Sequence, residues 1–165
     1  MTLDEATLGI IARTPSVVRA LVQGAPASTL EAPDAGDWSA LTVVAHLVDR
    51  QPSQHARVEL ILAEDDPVIL DEDEQTGLEA SGLLDRSIEA LLELLASRQA
   101  THVARYERLT ASELARGGRH SVAGPITVAD LLNHRAYHDL VHVQQIASML
   151  AAGPDAARGA MGRFR

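Results

Sequence analysis

TVADLLNHRAYHDLVHVQQIASMLA, residues 127–151, is the stretch whose reading decides the fold. Thr127, with Asp130 three residues on, has the form of a capping box, which satisfies two backbone N–H groups at a helix start. The helix is expected to run to about Ala151, with Gly153-Pro154 as its stop. Three of the chain's seven histidines fall inside it, at His134, His138 and His142. Residues four apart share a helix face, so the segment predicts one long helix carrying a stripe of imidazoles.

Three further helices follow from the same kind of pattern. Ser39 caps a helix from about Ala40 to Glu64, where Leu41, Val44, Ala45 and Val48 form an apolar stripe. Pro52 lies inside it and predicts a kink or a break into two pieces; Val58, Ile61 and Leu62 resume the stripe. Another helix covers about Leu83 to Leu109, with Leu84, Ile88, Leu91, Leu92, Leu95 and Val103 facing inward. Thr14-Pro15 reads as a cap and first helical residue of a helix ending near Gln23, with Gly24 as its stop. Val17, Val18, Leu21 and Val22 make its buried face. Residues 24–37 read as a linker, 64–77 as an acidic solvated loop and 116–125 as a loop, while Thr110 and Glu113 form a second capping box. No segment alternates convincingly as a strand. The expected architecture is an all-α four-helix bundle, one domain over residues 1–152 with a flexible tail over 153–165.

Composition agrees. The 165 residues are 46% hydrophobic and 22% charged, with one Trp, two Tyr and one Phe, so the core must be aliphatic. With no cysteine, disulfides, cysteine-ligated zinc and a protein thiol nucleophile are excluded. The start, MTLDEATLGIIARTP, is acidic and only briefly apolar, unlike a signal peptide. No apolar run approaches the roughly 18 residues of a membrane span. A cytoplasmic protein is expected, with no membrane partner. The net charge of −9 argues against nucleic acid as a partner, because that affinity rests on clustered Lys and Arg.

His138 and His142 can aim two imidazoles at one divalent ion, as the paired histidines of a zincin helix do. A third ligand must come from elsewhere, and His46 is the best candidate, on a helix whose stripe is otherwise apolar. Asp49, Arg50 and Ser53 beside it suggest a small polar interior surface. An exposed face of histidines would show the same spacing. His55, His102 and His134 read as surface or supporting residues.

Three segments, DWSALTVVAHLVD (37–49), GRHSVAGPITVADLL (118–132) and HRAYHDLVHVQQI (134–146), appear in an order and spacing that resemble the DinB/YfiT-like family of four-helix-bundle metalloenzymes. The similarity runs from Thr14 to about Leu150. It implies that His46, His138 and His142 together hold a divalent metal, zinc first, with nickel, iron or cobalt as alternatives. Asp139 and Gln145 also match, and Asp139 is a candidate to orient a ligand from behind. Trp38 and Ser39 match the family's entry to the second long helix, which suggests a plug at the base of the bundle and a cap. His120 corresponds to a loop histidine that would overhang the site.

Relatives of this kind include S-transferases that use bacillithiol or mycothiol, and a mycothiol-dependent isomerase. The resemblance therefore implies a metal-dependent thiol S-transferase acting on a small molecule. Arg50 or Arg57 is then a candidate to steer an anionic thiol cosubstrate into the mouth of the site, where plain surface charge is the alternative. The resemblance also implies a homodimer. A metal-dependent hydrolase and a noncatalytic metal-binding stress-response bundle are the alternatives.

Overall fold

The computed structural model describes residues 2–33, 38–72 and 74–163. Four long helices carry the fold: α1 (Thr7–Val22), α3 (Ala40–Ala63), α5 (Ile88–Tyr106) and α7 (Val128–Ala156). Shorter helices lie between them, α2 (Ala27–Leu30), α4 (Glu74–Ala80) and α6 (Ala111–Leu114). The expected four-helix bundle is present. Each of α1 and α3 packs on both α5 and α7, so the order around the bundle is α1, α5, α3, α7. The connections from α1 to α3 and from α5 to α7 therefore run between diagonal helices.

The helix starts are encoded locally. Ser39 Oγ accepts the Thr42 N–H at 3.1 Å, and the Thr127–Asp130 and Thr110–Glu113 pairs form both halves of a capping box. Gly24, at φ +80°, ends α1 where a side chain would be strained. The main core is aliphatic: Val18, Val44, Val48, Leu91, Leu95 and Ile146 are fully or almost fully buried. Val17 and Leu84, expected inside, are exposed.

Prolines mislead the reading of helix ends. α1 begins at Thr7, so Thr14 is interior rather than a cap, and its hydroxyl donates to the Ile10 carbonyl at 3.0 Å. Likewise α3 passes unbroken through Pro52. A helical proline leaves the carbonyl four residues back without its N–H partner. Here α5 supplies both donors. Gln99 Nε2 donates to the Ile11 carbonyl at 2.7 Å, opposite Pro15, and Arg98 Nη1 donates to the Val48 carbonyl at 3.1 Å, opposite Pro52. α7 likewise runs past Gly153-Pro154 to Ala156, followed by an exposed 3-10 turn at Gly159–Arg163. α5 is shorter than expected, because Ser87 caps it through the Ala90 N–H.

The expectation of no strands is also corrected. β1 (Val68–Ile69) pairs parallel with β2 (Gly117–His120), which pairs antiparallel with β3 (Gly124–Thr127). The presumed acidic loop thus contains β1 and the start of α4, and the presumed 116–125 loop is mostly a hairpin. Gly118 suits the close approach there, since a Cβ would stand 3.0 Å from the Pro67 carbonyl oxygen, tighter than ordinary contact. Arg116 ties the sheet to the end of α3 by donating to the carbonyls of Ile61 and Glu64 at 2.9 and 2.8 Å.

Candidate metal centre

His46 sits in the second turn of α3, inside the bundle and only 1% exposed. His138 and His142 lie one turn apart on α7, half-buried, on the face packed against α3. The helix pairing brings the three rings together, with centroids 5.2 Å (His46–His138), 4.7 Å (His46–His142) and 4.5 Å (His138–His142) apart. One ring nitrogen from each lies within 4.8 Å of the other two, and the Nε2 atoms of His46 and His138 are 3.1 Å apart.

Three nitrogens around a tetrahedral zinc are separated by about 3.4 Å, given Zn–N distances near 2.1 Å. The His46–His138 pair is close to that spacing, and the third nitrogen stands within 4.8 Å of both. The electrostatics of the cluster suit a cation as well. Burial, then His142, His138 and Arg50, push the His46 pKa down to about 3, so its imidazole is neutral and has a lone pair to offer at pH 7. The His142 Nδ1 hydrogen bonds to Gln145 Oε1 at 2.9 Å; the amide oxygen only accepts, so Nδ1 carries the proton and Nε2 is left with the lone pair. His138 Nδ1 is buried without a hydrogen bond, 3.7 Å from Asp139 Oδ1. That is an ion-pair distance, longer than a hydrogen bond.

Asp139 itself is held in a buried polar cluster. Its two oxygens accept from Arg135 Nε and Gln99 Nε2, each at 3.2 Å. Gln99 Oε1 in turn accepts from Gln51 Nε2 at 2.7 Å. All four residues are at most 3% exposed, and together they join α3, α5 and α7 just behind the His138 ring.

A scan against family models matches residues 10–146 to the DinB superfamily. The chain belongs to that superfamily. No curated protein matches it. Among solved structures it is similar to YfiT from Bacillus subtilis, at TM-score 0.82 and 23% identity, covering 90% of this chain and 89% of that one. YfiT is described as a probable metal-dependent hydrolase with an unusual four-helix bundle topology.

In this DinB-superfamily chain the remaining sequence candidates lie outside the cluster of three rings. His134 is exposed on α7, its ring centroid 6.4 Å from that of His138. His120 is in β2, where its Nδ1 accepts from the N–H groups of Val122 and Ala123 at 3.2 and 3.3 Å and closes the hairpin turn. His55 and His102 stack on each other at 4.1 Å, with the Tyr106 hydroxyl 3.1 Å from His55 Nδ1. His102 is buried, not on the surface. Arg50 and Arg57 both face Glu72.

Trp38 is more than a plug. Its ring meets His46 edge-on at 5.1 Å and stacks over His142 at 6.3 Å and 11°, so it forms a wall of the site. Sequence reasoning gives Gln145 no role, although its place three residues after His142 puts it on the same face.

Proposed function

We propose that this chain is a divalent-metal-dependent enzyme in which His46, His138 and His142 hold the ion. The observation that carries the reading is the convergence of three imidazole nitrogens from two helices, one of them kept neutral by burial. A three-imidazole set suits zinc, nickel, iron or cobalt and leaves a coordination position open. When bound, such an ion supplies Lewis acidity, lowering the pKa of a thiol or water toward neutrality.

The residues of the chain prepare the site for that chemistry. Gln145 fixes the His142 tautomer, and the Asp139 cluster packs behind His138. Trp38 covers one side of the rings and gives a substrate an apolar wall. Arg50, one turn along α3 from His46, places positive charge beside the site. The finer reading is S-transfer from a low-molecular-weight thiol such as bacillithiol or mycothiol. The thiol loses its proton, its sulfur bonds to an electrophilic carbon, and the leaving group departs with the electron pair. A chain without cysteine needs its sulfur from a cosubstrate. Hydrolysis is the second reading, favoured by the description of YfiT; it uses the same residues with water in place of the thiol.

The test is to load the full chain with zinc or nickel and offer a generic electrophile with and without small thiols. Turnover that needs both metal and thiol supports transfer, turnover without thiol supports hydrolysis, and none under either condition overturns the enzymatic reading. The ligand assignment is tested by elemental analysis. His138→Ala is expected to lose most bound metal and His55→Ala to keep it; equal retention would refute the assignment.

A further inference from the structure

The Arg50 side chain is 6% exposed. A guanidinium so far withdrawn from water requires an anion beside it. Glu72 provides one, with Oε2 2.8 Å from Arg50 Nη2. The other oxygen of the same carboxylate, Oε1, is 3.7 Å from Arg57 Nη2. One carboxylate is thus shared between two guanidiniums, one oxygen toward each, in the manner of an arginine clamp on an oxyanion.

The two sides of this contact are built differently. Arg50 and Arg57 project from the middle of a long helix, and Arg57 is further fixed by donating to the Leu70 carbonyl at 3.1 Å. Glu72 has a side chain 42% exposed and belongs to the irregular stretch between β1 and α4. The cations are fixed and the anion reaches them from the solvent side. Two clefts meet at Glu72: one of about 470 Å³ bordered by Arg50, Ser53 and Gly77, and one of about 540 Å³ bordered by Arg57, Leu60 and Leu70.

We infer that Arg50 and Arg57 form a subsite for the carboxylate, sulfonate or phosphate of a small molecule, and that Glu72 is a built-in anion which such a ligand displaces. Because one anion replaces another, Arg50 never stands uncompensated during the exchange; the cost is limited to releasing a partly exposed carboxylate. Taken with the three-histidine metal reading, on which this step alone rests, the substrate class is a small molecule whose anionic group lies farther along α3 than its reacting atom, toward Arg50 and Arg57.

The test keeps this inference separate from the metal. Metal-free full-length protein is titrated calorimetrically with 2-mercaptoethanesulfonate and with the uncharged 2-mercaptoethanol. Glu72→Gln, close in shape and partly exposed, is expected to tighten sulfonate binding roughly fivefold, the strength of a partly exposed ion pair, and to leave mercaptoethanol unaffected. Adding Arg57→Gln to Glu72→Gln is expected to reverse the gain. Unchanged sulfonate affinity in Glu72→Gln, or a gain that survives loss of Arg57, would overturn the subsite. Elemental analysis of the same variants reports on the three histidines independently, so the two readings fail separately.

Discussion

At the scale of single residues, the question is what holds each imidazole in its working state. Gln145 fixes the His142 tautomer through one 2.9 Å hydrogen bond. Gln145→Leu keeps the volume and removes the acceptor, and metal affinity is expected to fall by about 10- to 100-fold. Competition against a chromophoric chelator measures it; unchanged affinity would mean the amide plays no part in ligation. The HxxxH spacing and the apolar surroundings of His46 make the three histidines candidates in the amino-acid sequence itself, and it is the family resemblance that joins them into one set. The contributions of Trp38 and Gln145 are not, because they depend on how α3 and α7 rotate against each other. His102 gives a second residue-scale prediction. Burial first, then His55, Arg135 and Arg98, lower its pKa from 6.5 to about 4. Between those values the unfolded chain carries the proton and the folded one does not, so stability is full above pH 6.5 and declines as pH falls toward 4. The loss is at most on the order of 3 kcal/mol. His102→Phe, which preserves the ring against His55, is expected to reduce the slope of this part of the thermal-stability profile, His46 supplying the remainder. A wild-type slope in that variant would place the titration elsewhere.

At the scale of elements, the informative failure is proline. Reading Pro15 as a helix start and Pro52 as a possible break assumes that the carbonyl each one orphans has no other partner. Gln99 and Arg98 supply those partners from across the bundle, something local sequence cannot reveal. The strands are invisible for a related reason. Gly117–His120 has no apolar alternation and low strand propensity; it is a strand because Pro67 and Ile69 offer backbone acceptors to Arg119 and Ser121 at 2.8 and 2.9 Å. The splint at Pro52 can be measured with a double-mutant cycle. Arg98→Met leaves the Val48 carbonyl unsatisfied and is expected to destabilise by about 1–2 kcal/mol in urea. In a Pro52→Ala background the new N–H satisfies that carbonyl, and the same substitution is expected to cost about 1 kcal/mol less. Equal costs in the two backgrounds would show that Arg98 stabilises by packing alone.

At the scale of the whole molecule, the metal centre and the stability of the fold are largely separate matters. The main core is drawn from α1, α3, α5 and α7 together, with Val18, Val44, Leu91 and Ile146 sealed inside it. Of the three clustered histidines, only His46 is fully buried. A zinc finger folds on its ion because it has no such core; this bundle has one, and the caps of α3, α5 and α7 and the splints at Pro15 and Pro52 are made without an ion. Chelation is therefore expected to leave the far-ultraviolet circular dichroism of the helices intact. Metal should stabilise the fold only by mass action, by about 2.7 kcal/mol at 100 times the dissociation constant, and raise the melting temperature accordingly. Trp38 provides the internal control. It is the chain's one tryptophan and lies against His46 and His142, so its emission should change as a quenching ion such as nickel or cobalt enters while the helical signal stays constant. Loss of helix in step with the fluorescence change on chelation would instead make the ion a structural staple, because the two α7 rings and α3 would then be held together by coordination and not by the aliphatic seam beneath them.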